Sequence, residues 1–219
     1  MSDQEQWPSL GHTARWTAAV RAVESARNDR LFSDPFAPAL AGEEGMQWVT
    51  GRTGDSLAPI VLRTRFFDDR LSELSRQAGI RQIVLLAAGL DTRAFRLGWA
   101  AGSVVFEVDQ KAVLDYKESV LASASASPKC ARRVVKTDLT GNWIQALVEA
   151  GFDRQQRSAW LLEGFLFYLP SDAGIRILDE VTELAAPGSW VGFDVINSQM
   201  LTSPFSKKWV EMQAACGAP

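Results

Sequence analysis

The chain has 219 residues, of which 47% are hydrophobic, and a formal net charge of −3, which suits one domain with a packed core and argues against disorder. Acids and bases are interspersed without a basic block, so nucleic-acid binding is not expected. One histidine, His12, and two distant cysteines, Cys130 and Cys216, cannot build a clustered zinc site, leave a Ser-His-Asp triad dependent on His12 alone, and fit a reducing compartment better than a disulfide scaffold.

Residues 1–11 read as a loose polar tail with no apolar signal core. No run reaches the ~18 apolar residues of a membrane helix, and a soluble cytoplasmic protein is expected. Thr13–Arg27, rich in Ala with Val20 and Val23 at helical spacing, predicts a helix. Ser33-Asp34-Pro35 reads as a helix start, with Asp34 capping and Pro35 in the first turn, and Gly42 as the end of that helix. Gly51 to Gly54 is a loop. Ile60, Phe67, Leu71, Leu74 and Ala78 then share a helical face ending at Gly79, a natural left-handed cap. Alternation follows: strands at Ile83–Ala87, Val104–Val108, Arg132–Lys136, Ala159–Glu163 and Trp190–Ile196, and helices at Lys111–Ala122, Trp143–Ala150 and from a capping Ser171 to Ala186. Such alternation predicts an α/β fold, a doubly wound, mostly parallel sheet covered on both faces. Past the fifth strand about one helix of sequence remains before a turn-like Cys216-Gly217-Ala218-Pro219, so the architecture is read as trimmed or as a fragment.

Open parallel sheets bind ligands beyond the carboxyl ends of their strands. The first strand delivers Ala87-Ala88-Gly89, small residues that let a ligand approach the backbone. The second delivers Asp109, 20 residues past Gly89, where an acid can accept from both ribose hydroxyls. The third delivers Asp138-Leu139, a carboxylate for an amino group beside an apolar face for a flat base. The fourth delivers Glu163-Gly164. A dinucleotide site needs G-x-G-x-x-G running into a helix N-terminus. Here the loop reads AAGLDTRA, with one glycine and an acid, Asp91, that would repel pyrophosphate. A sulfonium cofactor carries no phosphate but does carry an ammonium and a carboxylate, and the carboxylate wants a guanidinium fork. Arg63 and Arg65 lie on the helix before the first strand.

The blocks RAVESARNDRLFSDPFA (21–37), RTRFFDD (63–69), QIVLLAAGLDTRAFRL (82–97), FEVDQ (106–110), TDL (137–139) and EGFLFYLP (163–170) resemble the class I S-adenosylmethionine-dependent methyltransferases, and more narrowly the leucine carboxyl methyltransferase-like branch. That branch includes carboxyl methyltransferases acting on a phosphatase C-terminus and bacterial O-methyltransferases linked to secondary metabolism. The resemblance implies a Rossmann-like fold, S-adenosyl-L-methionine as cofactor and an N-terminal helical lid over residues 1–55 on a cofactor-binding core at 56–219. It implies Arg63 for the methionine carboxylate, with Arg65 as the fallback, Ala88 and Gly89 under the methionyl part, Asp109 for the ribose, Asp138 and Leu139 for adenine, and Glu163 near the amino group. Tyr168 lies where the family lines the acceptor pocket, so Tyr168 and Arg63 are the catalytic candidates. Where this chain has Ala87 the family often has Gly, and family members usually continue past Gly217-Ala218-Pro219 with further strands.

The expected function is O-methylation of a small-molecule acceptor, with a carboxylate among the candidates. A carboxylate is ionised at neutral pH and needs no strong base, which suits a chain with one histidine. A catalytically inactive cofactor-binding protein or fragment is the alternative. A nicotinamide-dependent oxidoreductase is disfavoured by the loop.

Overall fold

The aliphatic runs assemble at the five expected places. The computed structural model describes residues 7–52, 54–197 and 199, and of residues 7–12, 54 and 55 the backbone alone. In chain order the elements are α1 (Trp7–Ser25), α2 (Ala37–Val49), α3 (Gly54–Arg76), β1 (Gln82–Leu86), α4 (Arg93–Arg96), β2 (Val104–Asp109), α5 (Lys111–Ser123), β3 (Ala131–Lys136), α6 (Trp143–Glu149), β4 (Ser158–Leu162), a 3-10 turn (Leu166–Tyr168), α7 (Ser171–Leu184) and β5 (Trp190–Phe193).

The strands form one sheet in the order β3-β2-β1-β4-β5, and each pairing is parallel. β1, QIVLL, is central and buried along its whole length, as a parallel strand covered on both faces must be. Its side chains alternate between two cores. Ile83 and Leu85 join Val105, Ala159 and Leu161 beneath α1, α2 and α3. Val84 and Leu86 join Phe106, Val108, Trp160 and Leu162 beneath α6 and α7. The second core is strongly aromatic: Trp160 meets Trp143 and Phe152 edge to face, with centroids 6.3 and 5.1 Å apart.

Several local expectations change. Helix α1 already includes residues 7–11, read above as tail. Helix α2 begins at Ala37, with Pro38 and not Pro35 in its first turn. Asp34 does accept the Phe36 N–H, at 3.2 Å, but its carboxylate is otherwise drawn into a buried ion pair. Gly42, at φ +61, kinks α2, and a second helical stretch follows it. Gly79, at φ +70, reverses the chain after α3 so that the Ile80 N–H reaches the Leu74 carbonyl. Ser171 is the first helical residue of α7 and makes no capping bond. β5 stops at Phe193, three residues short of the expectation. The side chains of Trp7 and His12, and the terminal segment with Cys216, lie outside the described residues. Among the described residues no helix is long and apolar enough to cross a membrane.

Trp160 is fully buried, and its Nε1–H donates to Ser158 Oγ at 2.8 Å. Trp160→Ala should therefore cost about 3–5 kcal/mol of folding free energy, read as a lowered urea midpoint at unchanged slope.

Candidate functional site

Beyond Leu86 the chain turns through Ala87 (φ +52) and Gly89 (φ +48). The left-handed conformation is free for glycine and costs an alanine ~1 kcal/mol. The turn is stitched to the end of β2. Ala88 N–H donates to the Val108 carbonyl at 3.1 Å. Gly89 N–H donates to Asp109 Oδ2 and Gln110 N–H to Asp109 Oδ1, each at 2.6 Å. Each carboxylate oxygen keeps a second lone pair, so Asp109 can still accept from a diol. Burial pushes the Asp109 carboxyl up, against the pull of those two backbone donors and of Lys117. A side chain at Gly89 would first meet the Ala14 Cβ, at 3.8 Å, so α1 passes over this turn.

The following loop is held from behind. Arg21 of α1 donates to the Leu90 carbonyl (2.7 Å) and to Asp34 Oδ2 (2.9 Å), and Thr92 Oγ1 donates to the same Asp34 oxygen (2.6 Å). Asp34 is completely buried. Burial alone would raise its pKa, but Arg21, Thr92 and Arg96 outweigh it and hold the carboxyl below its ordinary value. Asp91 faces Arg93: its Oδ1 accepts the Arg93 backbone N–H at 2.6 Å, and its Oδ2 pairs with the Arg93 guanidinium. Against the effect of burial, Arg93, Arg96 and Lys117 hold Asp91 down at about 2. A second reason joins the acidity of Asp91 in disfavouring pyrophosphate: Asp91 has already taken the first N–H of α4, a one-turn helix too short to cradle phosphate.

The end of β4 carries the densest charge. Glu163 Oε1 accepts from Arg63 Nε at 2.9 Å, and Glu163 Oε2 pairs with Arg93 Nη1 at 2.7 Å. Arg63 Nη1 also donates to Asp194 Oδ2 (2.7 Å), while Asp194 Oδ1 accepts the Gly164 N–H (2.6 Å). Arg93 Nε donates to Asp68 Oδ1 at 2.7 Å, and Asp68 is paired again with Arg96. Burial pushes Glu163 up, but Arg93 and then Arg63 overcome it, with Asp91 opposing, and its carboxyl lies below the ordinary range. Gly164, at φ +67, has no room for a side chain without pressing on the Arg63 guanidinium, 3.1 Å away.

The remaining expected residues are placed as follows. Asp138 is exposed just beyond β3, and its Oδ1 accepts from the N–H and Oγ1 of Thr140, both at 2.8 Å. Leu139 packs into the core beneath α6 and α7. Tyr168 ends the 3-10 turn after β4, with its ring 4.7 Å from that of Phe167. Arg65 points away, pairing with Asp69 and the Leu31 carbonyl on the exposed side of α3. The structure therefore brings Arg63, Glu163, Ala88, Gly89 and Asp109 to the adjoining ends of β1, β2 and β4. The sequence reading passed over Asp68, Arg93 and Asp194. The first two stand inside quoted blocks, while Asp194 was hidden by extending the fifth strand to Ile196. The donors and acceptors fit a sulfonium amino-acid nucleoside: a diol acceptor, a guanidinium, a buried carboxylate and a tight glycine turn.

The leucine carboxyl methyltransferase family model matches residues 14–182. A Mycobacterium bovis BCG protein, provisionally named an S-adenosyl-L-methionine-dependent methyltransferase, is 43% identical over 225 residues, covering 95% of this chain and 71% of its own length. A protein of the same provisional name from Parafrankia is 46% identical over 190 residues, covering 82% of this chain and 61% of its own length. Among solved structures, a DUF574 family protein from Streptomyces avermitilis aligns with a TM-score of 0.63 at 18% identity, over 92% of this chain and 76% of that one. A provisionally named methyltransferase from Thermobifida fusca aligns at 0.61 and 20% identity, over 90% of this chain and 72% of that one. These two likenesses speak for the fold.

Asp34, Asp91 and Glu163 all titrate below their ordinary values in the folded chain. A depressed carboxyl stabilises the fold above its unfolded pKa, and that contribution is lost as pH falls through the folded value. Asp109, raised by burial, runs the other way as a single group. Folding stability should hold down to about pH 4 and fall steeply toward about pH 2, where Asp91 takes its proton, as urea unfolding across that range will measure.

Proposed function

The chain belongs to the leucine carboxyl methyltransferase family, and from its membership as an S-adenosyl-L-methionine-dependent methyltransferase we propose that it methylates an oxygen of a small-molecule acceptor, a carboxylate first among the candidates. The observation that supports the cofactor half of this reading is the tie between Asp109 and the Gly89 turn, with the Arg63–Glu163 pair at the neighbouring strand end; the acceptor half rests on family membership and on a chain with one histidine. Asp109 would serve there as a diol acceptor beside Arg63 and Glu163 as an amino-acid clamp, and the first N–H of α4, where a phosphate would bind, is already taken by Asp91.

S-Adenosyl-L-methionine supplies a methyl group already activated on a sulfonium, so no metal or strong base is required of the protein. Asp109 would accept from the ribose hydroxyls, and Asp138 from the adenine amino group with Leu139 beside it. Glu163 would face the ammonium. Arg63 has spent Nε and Nη1 on acids, and its Nη2 takes no protein partner among the described residues, so it can donate to the carboxylate. Ala88 and Gly89 would leave room for the chain between them. Tyr168 would orient the acceptor oxygen in line, and residues 1–55 would cover the acceptor side and keep water out. A carboxylate acceptor fits because it arrives ionised and asks for no histidine.

Asp109→Ala should weaken S-adenosylhomocysteine binding by at least about a hundredfold, with the melting temperature recorded alongside. Micromolar affinity retained in the calorimeter would remove the cofactor assignment for this residue. The acceptor class is tested by incubating the protein and a labelled-methyl cofactor with carboxylic acids, phenols and amines. A base-labile methyl ester is the expected product, and methylation of amines alone would overturn the oxygen assignment.

A further inference from the structure

Four charged side chains close a ring on helix α3. Arg63 of α3 donates to Glu163, Glu163 pairs with Arg93, and Arg93 donates to Asp68, which is again on α3. Arg93 is 3% exposed and Asp68 6%, while Glu163 and Arg63 open slightly, at 14% and 20%. The outward half of the ring thus belongs to the site and the inward half does not. Arg93 is too enclosed to reach a ligand. Its Nε is spent on Asp68 and its Nη1 is shared between Asp91 and Glu163. What it can do is act through Glu163.

Resting on the methyltransferase reading, we propose that Arg93 is a positioning residue: anchored by Asp68 and Asp91, it fixes the Glu163 carboxylate and keeps it ionised to receive the ammonium of the cofactor's amino-acid end. The geometry gives two reasons. A buried guanidinium bonded to one carboxylate oxygen, with Arg63 on the other, leaves the carboxylate a single orientation. A carboxylate this enclosed would otherwise hold its proton and attract no ammonium. The charges facing Glu163 are Arg63 from α3, Arg93 from α4 and Asp91 from the loop before it, and Asp194 after β5 shares Arg63. Arg93 contributes more than Arg63 to holding Glu163 down, and Asp91 opposes both. Without Arg93, the guanidinium paired with Glu163 would be that of Arg63, which is shared with Asp194.

The test compares two ligands that share the thioether nucleoside. S-Adenosylhomocysteine carries the amino-acid end, and 5′-methylthioadenosine does not. Arg93→Gln should lower affinity for the first by about tenfold or more and leave the second within about twofold. It should also make S-adenosylhomocysteine binding fall with pH between about 8 and 5, where the wild type stays flat relative to methylthioadenosine. Titration of Asp109 acts on the shared ribose, so it moves both ligands and cancels in the comparison. In a Glu163→Gln background the Arg93 substitution should add nothing. Arg93→Lys, which restores charge without the fork, should recover part of the loss, and it carries the same comparison if Arg93→Gln does not fold. Equal losses for both ligands, or no loss for either, would overturn the positioning role. A wild-type protein that binds neither ligand would instead overturn the cofactor reading beneath it.

Discussion

A guanidinium removed from water needs partners on several sides, and Arg93 finds them in three carboxylates from three parts of the chain: Asp68 on α3, Asp91 in its own loop and Glu163 at the end of β4. Taking away one partner of such a set leaves a buried charge uncompensated, which costs ~3–5 kcal/mol in comparable sites. The helix before the sheet, the loop after β1 and the end of β4 are therefore bound to one another by electrostatics as well as by packing. The site inherits its geometry from this arrangement. The strand ends come from the hydrophobic cores, and the direction of the side chains at those ends comes from the ion pairs.

The architecture was legible because parallel strands buried on both faces must read as unbroken aliphatic runs, and QIVLL, VVF and SAWLL do. Asp109 was legible for a related reason: it is the last residue of the segment VVFEVD, and a polar residue that closes a parallel strand stands at the carboxyl end where ligands bind, whereas Glu107, directly after VVF, is buried within the strand. Elements set by tertiary contact were harder to read. Asp34 looks like a helix cap from its neighbours, yet Arg21 and Thr92 claim its carboxylate. Ser171 looks like a cap as well, but the helix starts on it. Arg93 and Asp194 could not be assigned from sequence because their partners lie far along the chain, and charge pairing between distant elements leaves no periodic signal. Arg65 and Arg63, two residues apart, look equivalent in the sequence. The helical turn sends one to Asp69 on the surface and the other to Glu163.

A second buried set of charges lies behind the site on β2. Glu107 and Lys117 are both fully buried and paired at 2.7 Å, and Arg132 of β3 joins them at 2.6 Å. Such pairs often stabilise a fold no better than well-packed apolar groups of the same size, and here Glu107 Oε1 and Arg132 Nε are buried with no hydrogen-bond partner among the described residues. Its effect is felt next door: Lys117 and Glu107 pull the Asp109 carboxyl in opposite directions. The ionisation of Asp109 is thus set partly by Glu107, two residues back on the same face of its own strand, and by Lys117 of α5.

The clamp of Arg21 and Asp34 on the loop after β1 has a kinetic consequence. Arg21 reaches the Leu90 carbonyl across 69 residues, and Thr92 reaches Asp34 across 58. Contacts that close such long stretches form only after the entropy of closing them has been surrendered. We therefore expect the loop to order late, after the central strands have paired and α1 has docked. Mutational φ-values at Arg21 and Asp34 would then lie near zero, with substitutions there speeding unfolding and leaving the refolding rate almost untouched.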